Sequence, residues 1–411
     1  MSGMGRKDLT LLFGTRIIRL FCYGFLSVVL ALYLIQVGLS EKAVGLIFTL
    51  TLAGDAGISL WLTTRADRFG RQRTLIAGAL LMIGAGLVFI FSRNPVALAV
   101  AAIIGVISPS GNEIGPFLSV EQAALTQLLP GERRTQTFAW YALSGSLATA
   151  TGALSGGWLA QGLQMNGFSA FNAYRIVLAG YALGGLIMIG LFLSLSKAVE
   201  IEAVDKTVQP KLFLGLHRSK SVVLRLSGLF AMDAFAGALI VQSLLAYWFH
   251  VKYGVDTGVL GSIFFGANIL AGLSALFAAP IAKRFGLINT MVFTHIPSNI
   301  FLILVPLMPN LPLAIAMLLA RFSISQMDVP TRQSYTMAVV APDERSAASG
   351  VTTIARSVGA ALSPSLAGLL MSIPILFSTP FFLAGGLKLG YDFLLFKSFR
   401  DMQPPEESGS R

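Results

Sequence analysis

The stretch RADRFGRQRT, residues 65–74, sets four arginines around one aspartate in a chain that is 55% hydrophobic. A second stretch, IAKRFGLINT at 281–290, is its fainter copy. Shifting the chain by 216 residues lays 38–74 on 254–290 without a gap, and ten positions are identical, among them Gly45/Gly261, Phe48/Phe264, Ala66/Ala282, Arg68/Arg284 and Gly70/Gly286. EQAALTQLLPGERR (121–134) also matches RQSYTMAVVAPDERS (332–346) with one residue inserted, and GALSGG (152–157) lies opposite SPSLAG (363–368). Self-similarity at half the chain length means that one structural unit is used twice.

Composition names the solvent of that unit. Only 12% of the 411 residues are charged, about half the share of a soluble domain. This is a membrane protein. The formal charge of +11 sits in short clusters between apolar runs, not along one polar face, so lipid headgroups fit it and nucleic acid does not. Cys22 is the one cysteine and forms no internal disulfide. No cleavable signal peptide is expected, because the first apolar run contains Arg16 and Arg19 and is too long for one.

Runs of roughly 20 apolar residues, enough to cross about 30 Å of hydrocarbon, number twelve: 10–36, 43–63, 74–92, 96–126, 137–161, 174–195, 223–250, 257–280, 288–307, 311–338, 347–371 and 380–399. The polar stretch 196–222 divides them into an N-terminal six-helix bundle (1–195) and a C-terminal one (223–400), with a tail at 401–411. Most lysines and arginines of the loops fall on one side of the membrane, and only Lys42, Arg93, Arg175 and Lys252 fall on the other. The positive side is cytoplasmic, so the linker and both termini are expected there, in a multi-pass protein of the plasma membrane.

Over essentially its whole length the chain resembles the major facilitator superfamily of secondary transporters. The family's loop motif, Gly-x-Leu-Ala-Asp-Arg-x-Gly-Arg-Lys, is matched by Ala66, Asp67, Arg68, Gly70 and Arg71; Thr63 stands where glycine is usual and Gln72 where a basic residue is. The resemblance implies an all-α polytopic fold of twelve transmembrane helices in two pseudo-symmetric six-helix bundles, with a site near mid-membrane. It also implies a cytoplasmic latch. Asp67 is expected near the amino end of a neighbouring helix, where the dipole favours negative charge. Gly70 allows the tight turn, and Arg68, Arg71 and Arg73 hold headgroups or acidic side chains. A topology signal made of arginines alone explains the charges but not the aspartate or the glycine. In the second copy Lys283 and Leu287 replace Asp67 and Arg71, so that latch is expected to be weaker.

Charges inside the spans cost about 2.5–3.5 kcal/mol each on insertion scales and are functional candidates. The acids are Asp55, Glu113, Glu121, Asp233, Asp328 and Asp392; the bases are Arg16, Arg19, Arg321, Arg332, Arg356 and Lys388. Spans 1, 4, 7 and 10 line the cavity in the family resembled. Arg16 and Arg19 share a face of span 1, and the repeat places Asp233 of span 7 opposite Ile17, so arginine and aspartate are expected either to meet across the cavity or, for the arginines, to snorkel.

NEIGP (112–116) and QMDVP (326–330) each put an acid before a proline, which predicts a kinked helix with a freed carbonyl beside a carboxylate. Glu113 and Asp328 are therefore candidates for proton or substrate binding, with Arg332, four residues after Asp328, able to hold it charged; a purely structural buried pair is the alternative. Glu121 is read as a gate contact or a satisfied helix-end residue, Arg356 as a partner for Glu121 or Asp67, and Lys388 with Asp392 as a structural pair on span 12. Asp55 has no assigned role.

GALSGG resembles the superfamily's antiporter motif, with Ala153 in place of proline, and favours antiport slightly. The histidines, His217, His250 and His295, have no metal-ligand spacing, and no phosphate-binding loop or embedded nucleophile points to an ATP-driven pump or an enzyme. No cofactor or metal is expected; the partners expected are a small-molecule substrate, protons and membrane lipids, and the chain is expected to be a monomer. The leading function is proton-coupled efflux of a small organic molecule by alternating access. Transport of an organic or inorganic anion is the alternative, on the strength of Arg16, Arg19, Arg332 and Arg356, and a non-transporting sensor of the same fold is the third.

Overall fold

In the computed structural model of the chain, residues 3–129, 131–200, 216–400 and 402 are described, those at 3–5, 64, 65, 67, 68, 131–133, 135, 342 and 346 by their backbone only. The side chains of Asp67 and Arg68 thus lie outside the described part, as do most of the linker and, Met402 apart, the tail. Among the described residues there are sixteen α-helices and no strand. In chain order they are α1 (Gly3–Ser27), α2 (Leu30–Gln36), α3 (Glu41–Phe69), α4 (Arg71–Phe91), α5 (Pro95–Ile104), α6 (Phe117–Leu128), α7 (Gly131–Met165), α8 (Ala170–Leu193), α9 (Lys220–Ala238), α10 (Gln242–Tyr253), α11 (Thr257–Phe285), α12 (Leu287–Leu304), α13 (Leu311–Phe322), α14 (Asp328–Ala338), α15 (Arg345–Met371) and α16 (Thr379–Phe399).

Eight stretches among the described residues are long and apolar enough to cross a membrane, and α5 and α13 are shorter apolar helices. Their outer faces are apolar too: on α4, Leu80, Leu87 and Phe91 are exposed, which in water would be a liability and in lipid is the stable arrangement. Sixteen helices make twelve spans because four spans are each built of two pieces. Span 1 is α1 and α2, span 4 is α5 and α6, span 7 is α9 and α10, and span 10 is α13 and α14.

The two proline-linked kinks expected in spans 4 and 10 are corrected by this: the helices stop and restart. Span 4 is non-helical over 105–116, where Gly111 and Gly115 have φ of +71° and +82°, a conformation that disfavours any side chain. Pro116 caps the start of α6, and Pro330 is the third residue of α14. In a first turn the missing N–H has no partner to lose, so these prolines begin helices instead of bending them.

Irregular backbone at membrane depth survives only where its polar groups are satisfied by protein. In span 4 the Asp55 carboxylate accepts from the Gly115 amide at 2.6 Å, Ser108 Oγ donates to the Asn112 carbonyl at 2.8 Å, the Pro109 carbonyl accepts from the Ser243 amide at 3.0 Å, and the Tyr181 hydroxyl donates to the Val106 carbonyl.

Backbone contacts group the chain into two compact units, residues 1–206 with 241–268, and 207–240 with 269–411. Inside the first, α1 and α7 touch backbone to backbone. A Cβ added at Gly152 or Gly156 would lie 2.1 Å from the carbonyl oxygen of Phe21 or Phe25, and one at Gly24 would lie 2.1 Å from that of Thr149. GALSGG is therefore a packing surface, and its last glycine, Gly157, meets α11, where its Cβ would be 2.3 Å from the Thr257 carbonyl oxygen. The second unit repeats the device between α9 and α15, with Gly359 against Ala231.

This packing predicts opposite outcomes on one helix. Gly152→Val should abolish recovery of monodisperse protein, because the clash is with backbone. Gly162→Ala, where nothing lies within 4 Å, should leave yield and melting temperature equal to or above wild type, since alanine is favoured over glycine in a helix by about 1 kcal/mol. Thermal unfolding in detergent checks both, and a Gly152→Val protein that melts like wild type contradicts the packing.

Candidate functional site

A charge buried in a low-dielectric interior must be paired and hydrogen-bonded. In the first unit the pairing is built around Arg19 of α1, whose side chain is 0% exposed. Its Nη1 and Nη2 hold the two oxygens of Glu121 on α6 at 2.8 and 2.6 Å, a bidentate fork, and its Nε reaches Glu113 Oε1 at 2.6 Å. Arg16, one turn earlier, takes the other Glu113 oxygen at 2.8 Å. Thr15 and Tyr141 donate to Glu121, so that this carboxylate has four donors and no exposure. Aromatic faces complete the shell, with Arg16 over Tyr141 at 4.3 Å and Arg19 over Phe117 at 4.6 Å.

Asp233 of α9 is the centre of the second unit. Lys388 Nζ of α16 lies 2.5 Å from its Oδ1, and Arg332 of α14 and Arg356 of α15 approach its Oδ2 at 3.2 and 3.5 Å. Arg332 also holds Asp328 at 2.8 Å, the i, i+4 contact the sequence implied. His295 of α12 bridges two acids: Nδ1 is 2.8 Å from Asp392 Oδ1, and Nε2 is 3.9 Å from Asp233. Asn299 donates to the other Asp392 oxygen at 3.0 Å.

The two networks are opposite in sign at matching places of the repeat. The first pairs a cation on span 1 with an acid on span 4, and the second pairs an acid on span 7 with a cation on span 10. Glu121 and Arg332 are repeat partners, and Asp233 aligns between Arg16 and Arg19.

Several sequence expectations change here. Arg16 and Arg19 do not snorkel: Glu113 pairs with both and Glu121 with Arg19, inside their own unit. Lys388 is not the partner of Asp392: it reaches to Asp233, while Asp392 belongs to His295 and Asn299. Arg356, with 35% of its side chain exposed, approaches Asp233 of its own unit. His295 and Asn299 were the missed members. Their signal was present, two polar side chains four apart in an apolar run, hence on one helix face.

The loop motif is occupied by the linker. At Gly70, with φ of +94°, the chain turns into α4, and the two amides that follow, of Arg71 and Gln72, donate to Glu200 at 2.7 and 3.0 Å. The amino end foreseen for an aspartate thus carries a glutamate from the linker. Arg71 is buried, donating to Gln127 and to the Val199 carbonyl, whereas Arg73 is exposed. In the second unit Glu344 plays the same part, accepting from the amides of His217, Arg218 and Ser219 at the start of α9. Burial opposes its charge, but the bonds from Ser219 and the His217, Ser219 and Arg218 amides outweigh that and hold the carboxyl down at about 2.

Removing one member of a buried pair costs about 3–5 kcal/mol, while replacing the pair by packed apolar residues does not. Glu121→Leu should therefore destabilise the purified protein severely, and adding Arg19→Met should restore part of the loss, with Glu113 still answered by Arg16. Melting temperatures of the two single variants and the double variant check this; additive losses contradict the pairing.

A sequence profile of the Major Facilitator Superfamily matches residues 12–364 and again 250–410. The uncharacterized membrane protein YJR124C of Saccharomyces cerevisiae (strain ATCC 204508 / S288c) is 31% identical over 418 residues, covering 95% of this chain and 93% of that one. Among solved structures, the nucleoside transporter NupG superposes with a TM-score of 0.71 at 13% identity, covering 95% of this chain and 99% of its own. The D-xylose–proton symporter superposes with a TM-score of 0.71 at 14% identity, covering 95% and 97%. With its twelve spans and its internal repeat, the chain belongs to the Major Facilitator Superfamily.

Proposed function

We propose that this protein is a secondary active transporter that exports a small organic molecule by alternating access in exchange for protons, and that Asp55 carries the proton. One observation supports this most. Of the three acids within the apolar runs of the first unit, Asp55, Glu113 and Glu121, Asp55 on α3 is the one with no cation within 4.0 Å among the described residues. Its partners are neutral: the Gly115 amide at 2.6 Å and the Ser59 hydroxyl at 3.0 Å. Glu113 and Asp328, the acids the sequence favoured, are held by arginines.

Asp55 also sits where a proton can be turned into movement. It holds the non-helical segment of span 4 by an amide of that segment, and Glu113, which binds Arg16 and Arg19, is two residues from that amide. A proton on Asp55 removes the negative charge that strengthens the bond from Gly115 and so loosens the segment on which Glu113 rides. Broken helices suit such a cycle, since half-helices pivot about unwound backbone. The D-xylose–proton symporter runs proton coupling on the same fold. The reading carries with it a plasma-membrane location, cytoplasmic termini and a monomer.

Proteoliposomes enclosing a pH-sensitive dye, challenged with panels of lipophilic cations and organic anions, test the coupling. One class should collapse an imposed proton gradient in wild type, and Asp55→Asn should abolish the proton signal while Asp328→Asn keeps it. Proton movement that survives in Asp55→Asn rules out its role, and absence of any response from folded protein favours the sensor reading.

A further inference from the structure

One buried cation of the second unit is left without an ion pair among the described residues. Its carboxylates are taken: Asp233 by Lys388, Arg332 and Arg356, Asp328 by Arg332, and Asp392 by His295 and Asn299. Arg321, at the carboxyl end of α13, is 9% exposed, and its guanidinium has neither an ion pair nor a hydrogen bond among the described residues; its Nε is fully buried and unpartnered. Asp233 and Asp328 act on it only at longer range. Four residues on, in the break of span 10, the hydroxyl of Ser325 is buried and unpartnered as well.

Depth makes a charge with only the Phe322 ring near its guanidinium, at 5.2 Å, costly. Span 10 begins at Leu311, and ten residues at about 1.5 Å each place Arg321 about 15 Å in, half of a hydrocarbon core of about 30 Å. An arginine at that depth is held by protein acids or by something that arrives.

We propose that Arg321, with Ser325, is the anchor for a single anionic group, so that the transported molecule is a small organic anion bearing one carboxylate or a group of like shape and charge. Guanidinium is planar and offers paired donors that match a carboxylate, and the unpartnered hydroxyl four residues on is a candidate third. The inference deepens the transport reading and names the substrate class, but it does not depend on proton coupling. It also replaces the four arginines on which an anionic substrate first seemed to rest, since Arg16, Arg19, Arg332 and Arg356 each lie within 3.5 Å of an acid.

The test needs no knowledge of the substrate. In purified, ligand-free protein Arg321→Met should leave the melting temperature unchanged or raise it by about 2 °C or more, because it removes an unpaired charge, while Arg332→Met should lower it. A fall in Arg321→Met as large as that in Arg332→Met overturns the proposal, for it makes Arg321 a structural partner of Asp233 and Asp328. Accessibility is the second arm: with Cys22→Ala as background, Arg321→Cys should react in membranes with a negatively charged methanethiosulfonate, and no reaction from either side overturns the proposal. Proton flux is absent from both readouts, so failure of the coupling reading leaves them unaffected.

Discussion

The cost of holding a charge where there is no water organises this molecule. Arg19 shows the solution at its fullest: no exposure, two carboxylates, a bidentate fork and an aromatic face. Glu121 is the same solution seen from the acid, with Arg19, Thr15 and Tyr141 supplying every bond. Once these groups are placed, α1, α6 and α7 are fixed to one another by directional contacts that apolar packing alone does not provide, and the small residues of α1 and α7 let the backbones approach closely enough for the contacts to form.

Duplication gave the two halves a common frame, and their ion networks use it with reversed sign. A reversed pair keeps the geometry of spans 1 and 4 in spans 7 and 10 while changing which helix carries the charge. The consequence is a different remainder in each half. Among the described residues Asp55 has no cation within 4.0 Å and Arg321 has no acid within that distance; in the proposed reading the compensated residues are scaffold, and these two take the proton and the anion. Glu200 and Glu344 apply the same economy at the helix ends, each satisfying orphan amides at the start of a span with a carboxylate.

Much of the fold was legible in the sequence because its signals are long. Twelve apolar runs, a polar interruption at mid-chain and a 216-residue repeat require no knowledge of contacts. The prolines at 116 and 330 marked the right places in spans 4 and 10 but the wrong event, since a proline reads alike whether it kinks a helix or starts one. The breaks in spans 1 and 7 had no such mark. In the site, the list of buried charges was readable, and pairing was readable only within a helix, as for Asp328 and Arg332. Which span faces which is a property of packing: Lys388 looks like the neighbour of Asp392 along α16, yet it reaches Asp233 on α9. For the same reason Arg321 could not be told from the other arginines until every acid had been assigned.

The central claim is that compensation is local and leaves Asp55 as the acid that takes up a proton. Infrared difference spectra of the purified protein between alkaline and acidic buffer report protonated buried carboxyls directly. The account predicts one such carboxyl band in wild type that disappears in Asp55→Asn and persists in Glu113→Gln and Asp328→Asn. A band that persists in Asp55→Asn and disappears in either of the others would contradict it.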